Sequence, residues 1–208
     1  MDVRLAEVLR LFERYLIEIV EHYDLCPWAR SARVNGEVGV EVLWGTPSAE
    51  AFAVAAKRLL AQPKTRVAMV LAPEGGATVS DLRGIRTRVI ELVPGTGVAD
   101  FHPDAPLDLA SAGRLVPFLR RSPDPLIQLV PLSLMESMRG DCIVADLAMQ
   151  ADILSGKAEL PREDVADQIA ARNHARVAVD HVAMAARFAE IAEDRRVSYA
   201  RVGITTAG

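Results

Sequence analysis

The stretch RVAMVLAPEGG, residues 66–76, joins a short apolar run to an abrupt stop. Residues 67–72 carry no charged side chain, which is typical of a strand that is buried on both faces. Pro73 and the glycines after it then end the strand. A helix capped by Ser80 and running to about Glu91 is expected next. The order of strand, turn and helix favours an α/β fold.

The segments around this stretch repeat the alternation of strands and helices. Strand patterns occur at residues 37–44, 98–101 and 126–130, and helical patterns at residues 5–23, 49–61 and 109–119. Strands that alternate with helices imply right-handed crossovers and parallel pairing in part of the sheet. We therefore predict an α/β (α+β) fold with a short, partly parallel mixed sheet of about four strands and helices packed on one side.

The C-terminal third has a different pattern, because it is helical throughout from about residue 133. A helix is expected over residues 142–154, and a long helix begins at Pro161, where proline suits the first helical position. A chain of 208 residues fits one hydrophobic core. We therefore predict a single globular domain over residues 1–208.

Charge and composition narrow the classes of partner. The net charge of -4 offers no general attraction to nucleic acid or to anionic lipid. Charged residues recur every few positions from the N-terminus onward, so neither a signal peptide nor a membrane span is expected there. The two cysteines have no metal-pair spacing, and no metal site is predicted. We expect a cytoplasmic protein with reduced thiols.

Three short motifs occur in a fixed order along the chain. They are Leu-Cys-Pro-Trp-Ala at residues 25–29, Val-Ala-Asp-Phe-His-Pro at 98–103 and Arg-Ser-Pro-Asp-Pro at 121–125. Over roughly residues 5–138 the chain resembles the bacterial family of domain of unknown function 1415, and Arg172-Asn173 resembles a pair in that family's last helix. The family pattern has an aromatic residue in place of Asp124 and a histidine in place of Gln128. The resemblance implies no particular reaction.

Cys26, in the first motif, is a candidate nucleophilic or redox thiol. It follows the negative C-terminal end of the first helix, so activation needs Arg30, Arg33 or His102 close by. A small buried side chain beside Trp28 is the alternative interpretation. A third interpretation is a thiolate ligand to haem.

His102, in the second motif, is a candidate general acid or base. It follows a strand, and ligands of α/β proteins often bind at the carboxyl ends of strands. The alternative is a histidine that caps the turn through hydrogen bonds.

Arg121 and Ser122 begin a loop that Pro123 and Pro125 make stiff. A guanidinium held there is suited to clamp a carboxylate or a phosphate. The alternative is that it complements the negative end of the preceding helix. Asn173 lies beside the apolar stripe of the last helix, where it either fixes that helix against the sheet or faces a polar pocket.

These residues support one leading hypothesis, a small-molecule site for an anionic ligand. Cys26 and His102 would be catalytic, and Arg121, Ser122, Arg30 and Asn173 would bind the substrate. The alternative is a non-catalytic protein-interaction module whose partner surface is the helical C-terminal third. The residues leave the reaction, the cofactor and the oligomeric state open.

Overall fold

The computed structural model describes residues 2–142 and 165–206. Its sheet has four strands, β1 (Val38–Val42), β2 (Val67–Leu71), β3 (Thr96–Phe101) and β4 (Leu126–Pro131). The strands lie side by side in the order β1-β2-β4-β3. β1 is parallel to β2, whereas β4 is antiparallel to both of its neighbours. The predicted mixed, partly parallel sheet of four strands is confirmed.

Helices connect and cover these strands. They are α1 (Val3–Tyr15), which continues directly into a π-helical turn (Leu16–Glu21), α2 (Ala29–Val34), α3 (Ala49–Leu60), α4 (Val79–Leu92), α5 (Ala112–Leu119), α6 (Leu132–Cys142) and α7 (Val165–Val202). The helix expected over residues 142–154 and the helix start at Pro161 lie outside the described residues, apart from Cys142. In the described part of the chain, no helix has the length and apolar character needed to span a membrane.

Helix α4 begins two residues earlier than its sequence predicts. Thr78, rather than Ser80, is the N-cap, and its hydroxyl accepts a hydrogen bond from the backbone N–H of Asp81 at 3.2 Å. The Asp81 carboxylate in turn accepts one from the backbone N–H of Thr78 at 3.0 Å. This reciprocal capping box satisfies two backbone donors, which explains why the earlier start is favoured.

The prediction that the helices pack on one side of the sheet is wrong, because helices cover both faces. Along β2, Met69 and Leu71 point into the core that α1, α5 and α7 form. Ala68 and Val70 point into the core that α3 and α4 form on the other face. Side chains alternate along a strand, so a strand that is apolar at every position has to be covered twice.

Helix α7 is held on α1 by both apolar and charged contacts. Its buried residues Val177, Met184 and Ile191 belong to the same core as α1. On the surface of that contact, the Asp194 carboxylate accepts hydrogen bonds from Arg10 and Arg14, each with a nearest distance of 2.8 Å. The C-terminal half of α7 is thereby brought to the edge of the sheet where β2 and β3 end.

Candidate functional site

A cavity of about 800 Å³ opens at one edge of the sheet. Leu126, the first residue of β4, pairs with Leu71 and Phe101, the last residues of β2 and β3. The loop before β4 and the loops after β2 and β3 therefore meet at this edge, and α7 closes it from the side. We call it the strand-end cavity. Its lining includes Ala77, Thr78, Ser80, His102, Asp104, Arg121, Ser122, Phe188, Ile191 and Arg195.

Arg121 is held firmly in the wall of the strand-end cavity. Its Nε and Nη2 both donate to the Ala105 carbonyl oxygen, at 3.1 and 2.6 Å. The guanidinium lies over the rings of Phe118 and Phe188, at 5.2 and 5.6 Å from their centres. Burial lowers the pKa of Arg121, and Asp104 opposes this shift. No carboxylate of the described residues forms an ion pair with this guanidinium.

His102 is buried, and both of its ring nitrogens are engaged. Nδ1 lies 3.0 Å from the backbone N–H of Asp104, which donates to it. Nε2 lies 2.7 Å from the Ala77 carbonyl oxygen, which only accepts, so Nε2 carries the proton. The imidazole is therefore the neutral tautomer, and it ties the segment before α4 to the end of β3. These are the contacts of the turn-capping alternative, and they leave no ring nitrogen for a ligand.

A buried polar network forms the floor beneath the loop that carries Arg121. The Asp124 side chain is 1% exposed, and its two oxygens accept hydrogen bonds from Arg195 Nε at 2.7 Å and the Tyr199 hydroxyl at 2.6 Å. Burial raises the pKa of Asp124, while the Arg195 charge and the Tyr199 hydroxyl act against this. Ser122 is also buried and donates to the Asp124 carbonyl oxygen at 2.6 Å. The network joins α7 to the loop, so its role is structural.

The charges around the strand-end cavity are unevenly balanced. Arg195 forms an ion pair with Asp124, whereas the described carboxylate that acts on Arg121 is that of Asp104, whose side chain is 85% exposed at the rim. The first turn of α4 adds positive potential, because Val79 and Ser80 lie where backbone N–H groups have no partner within the helix. The inner wall of the cavity therefore has a positive character.

Cys26 lines a different cavity, of about 330 Å³, on the sheet face that α1 covers. We call it the sheet-face cavity. Its lining includes Phe12, Tyr15, Leu16, Cys26, Trp28, Met69, Arg120, Gln128 and Met135, and no residue within 2–142 and 165–206 lines both cavities. The structure thus brings together His102, Arg121 and Ser122 but not Cys26. The turn that holds Cys26 stays on the sheet face because α7 binds its backbone.

Two residues of α7 hold that turn. Asn173 is buried, and its Nδ2 donates to the Leu25 carbonyl oxygen at 2.9 Å. Arg172 donates to the Asp24 carbonyl oxygen at 3.0 Å, where the backbone of Asp24 adopts a left-handed conformation with φ of 49°. Asn173 therefore fixes α7 against the turn after α1, rather than against the sheet, and it does not line the strand-end cavity. Arg30 is exposed and lines neither cavity.

The environment of Cys26 favours the neutral thiol. Burial raises its pKa, and the backbone N–H groups of Trp28 and Ala29 oppose that shift only in part. A nucleophile or a haem ligand needs the thiolate, so this environment works against both roles. Within residues 2–142 and 165–206, no three His, Cys, Asp or Glu side chains are grouped so that they could hold a metal ion.

Three residues that the sequence proposes for the site, His102, Arg121 and Ser122, line the strand-end cavity, but the sequence does not reveal the polar network beneath them. Asp124 was noted only as a departure from the family pattern, and Arg195 and Tyr199 lie more than 70 positions away in the sequence. An aspartate between two prolines, in a loop next to an apolar strand, was the one available signal.

Comparison with known proteins found no match, whether to a family model, to a curated protein or to a solved structure.

Proposed function

We propose that the strand-end cavity binds a small molecule with an anionic group and an apolar body. The observation that carries the proposal is Arg121, a guanidinium fixed by the Ala105 carbonyl and by two aromatic rings, with no carboxylate partner among the described residues. A planar guanidinium that is already held in position loses little side-chain entropy when it receives a carboxylate or a phosphate.

The rest of the lining supports a ligand with both kinds of surface. Ala185, Phe188, Ala189 and Ile191 of α7 give one apolar wall, opposite the segment before α4. The first turn of α4 favours negative charge. A volume of about 800 Å³ is within the range of pockets that take metabolite-sized molecules.

Binding is supported better than catalysis. A general acid or base needs a ring nitrogen that can reach the ligand, and both nitrogens of His102 bond to the backbone. The hydroxyl of Ser122 is likewise used within its own loop, and Cys26 lines the other cavity. The roles proposed for Arg121 and for the loop that begins at Ser122 are therefore recognition and positioning of the ligand.

Calorimetric titration with phenyl phosphate and with inorganic phosphate tests the proposal. Phenyl phosphate should bind more tightly than phosphate, because its ring can occupy the apolar wall. Arg121→Lys keeps the charge but loses the planar fork, so affinity for phenyl phosphate should fall about tenfold while the protein still folds. Arg120→Lys is the matched control, since Arg120 lines the other cavity, and it should leave the affinity unchanged.

Asp104 provides a test in the opposite direction. Its carboxylate is exposed at the rim and repels an incoming anion, so Asp104→Asn should tighten phenyl phosphate binding about twofold, an effect that disappears in high salt. Equal losses in Arg121→Lys and Arg120→Lys would refute a role for Arg121. Absence of any phenyl phosphate binding would refute the site.

A further inference from the structure

The sheet-face cavity contains a buried hydroxyl that has no hydrogen-bond partner among the described residues. Tyr15 is 2% exposed, it lines this cavity, and its hydroxyl oxygen is both inaccessible to solvent and unpaired. Buried tyrosine hydroxyls usually find a partner, and an unsatisfied one destabilises the folded protein. After a small movement of the neighbouring side chains, a polar atom in the cavity would remove this cost.

Arg120 lines the same cavity and is also without a counter-ion. No carboxylate of the described residues pairs with it, and the two charged groups that act on its pKa, Asp100 and Arg86, form an ion pair with each other at 3.4 Å. Burial lowers the pKa of Arg120, which reflects the cost of holding its charge away from water. An anion in the cavity would offset that cost.

Gln128 is the third polar group of the lining. It lies on β4 between Ile127 and Leu129, which are fully buried in the opposite core, so its own side chain faces the α1 side. Its amide forms no hydrogen bond with another described residue, and it lines the cavity together with Arg120. The other lining side chains are almost all apolar.

We propose that the sheet-face cavity is a second binding site, for a compact apolar carboxylate. The carboxylate pairs with Arg120 and Gln128, and the body lies among Phe12, Leu16 and Met69. The hydroxyl of Tyr15 donates to any ligand oxygen that reaches it. A volume of about 330 Å³ is near the lower limit for ligand pockets, so a medium-chain fatty acid or an arylalkanoate fits, whereas a long-chain lipid does not.

A simple packing void accounts less well for these observations. Cavities that stay empty in proteins are lined by apolar groups alone, whereas this one has a charged, an amide and a hydroxyl group in its wall. The two proposed sites are independent, because no described residue lines both cavities and the two anchoring arginines differ.

Trp28 provides a direct reporter, since its indole lines the sheet-face cavity. In a Trp44→Phe background it is the only tryptophan, because the chain contains two. Octanoate brominated at its terminal carbon should quench Trp28 fluorescence saturably, and unbrominated octanoate should reverse the quenching by competition.

The two adjacent arginines provide the matched variants. Arg120→Met should weaken binding of the brominated octanoate about tenfold or more, whereas Arg121→Met should leave it unchanged. Tyr15→Phe, which removes one oxygen, should weaken it about threefold, and Gln128→Leu repeats the test if Arg120→Met does not fold. Quenching that does not saturate, or that has the same affinity in wild type, Arg120→Met and Gln128→Leu, would overturn the proposal.

The outcomes of the two proposals separate cleanly. Arg120→Met should leave binding of phenyl phosphate at the strand-end cavity intact. If Arg120→Met loses octanoate binding, octanoate occupies the sheet-face cavity. This conclusion holds whether or not phenyl phosphate binds to the strand-end cavity. If Arg121→Met weakens octanoate binding and Arg120→Met does not, octanoate occupies the strand-end cavity, and the second site is refuted.

Discussion

Arg120 and Arg121 are neighbours in the sequence, yet they line two different cavities. Around the strand-end cavity the buried polar groups have partners, since Asp124 holds Arg195 and Tyr199. Around the sheet-face cavity the Tyr15 hydroxyl has no partner in the described part of the chain. The two proposed anchors therefore differ: the protein already hydrogen-bonds the Arg121 guanidinium through the Ala105 carbonyl, whereas the Arg120 guanidinium forms no ion pair with a described residue.

The largest loss of stability is expected in the network around Asp124, where the buried polar groups are paired. Asp124→Asn should lower the free energy of unfolding by about 3–5 kcal/mol, because it removes the fully buried carboxylate and leaves the partly buried Arg195 without its countercharge. Urea denaturation followed by circular dichroism measures this. The control is Asp108→Asn, which removes an ion pair with Arg114 at the surface and should change stability little. A similar loss in the free energy of unfolding for Asp124→Asn and Asp108→Asn would show that the network does not support the loop.

Two buried tyrosines should respond in opposite directions to loss of the hydroxyl. Tyr199→Phe should lower the free energy of unfolding by about 1.5–3 kcal/mol, because it removes a hydrogen bond to the Asp124 carboxylate. Tyr15→Phe should leave it unchanged or raise it by up to about 1 kcal/mol, because its hydroxyl is unpaired. A comparable loss in both variants would mean that Tyr15 has a partner, and would weaken the case for the sheet-face cavity.

The smallest change in stability is expected for Asp194, which lies on α7. The described residues of α7 line the strand-end cavity and not the sheet-face cavity. Hydrogen bonds from Arg10 and Arg14 hold the pKa of Asp194 well below its usual range. The stabilisation of the fold by the Asp194 carboxylate is therefore fully present above the pKa of aspartate in the unfolded chain, about 3.9. It is lost as the pH falls through the lower pKa of the folded state. Asp194→Asn should lower the free energy of unfolding by about 1 kcal/mol at pH 7. The difference from wild type should shrink below about pH 4.

The same variant distinguishes the two cavities. Because Asp194 anchors α7 to α1, Asp194→Asn should weaken phenyl phosphate binding and leave the quenching of Trp28 by brominated octanoate unchanged. Equal effects on both ligands would show that the cavities are coupled through the shared core.

Several features of the fold and of the site could be predicted from local sequence alone. The runs at residues 37–44 and 66–72 predicted β1 and β2, because the side-chain period of a strand is visible within a few positions. The strand end before His102 and the proline-stiffened loop after Arg121 marked both residues as site candidates, and both line the strand-end cavity because β4 runs antiparallel to β3.

Other features depended on contacts between distant segments, and only the tertiary structure decided them. Asp124 meets Arg195 across 71 positions, and Asn173 meets Leu25 across 148, so no local period records either contact. Cys26 lies away from His102 because α7 holds its turn on the sheet face. The sequence by itself determined the order of strands and helices and the loops at the strand ends. Which adjacent arginine lines which cavity was decided by packing, because a one-residue step along the chain turns a side chain toward different neighbours.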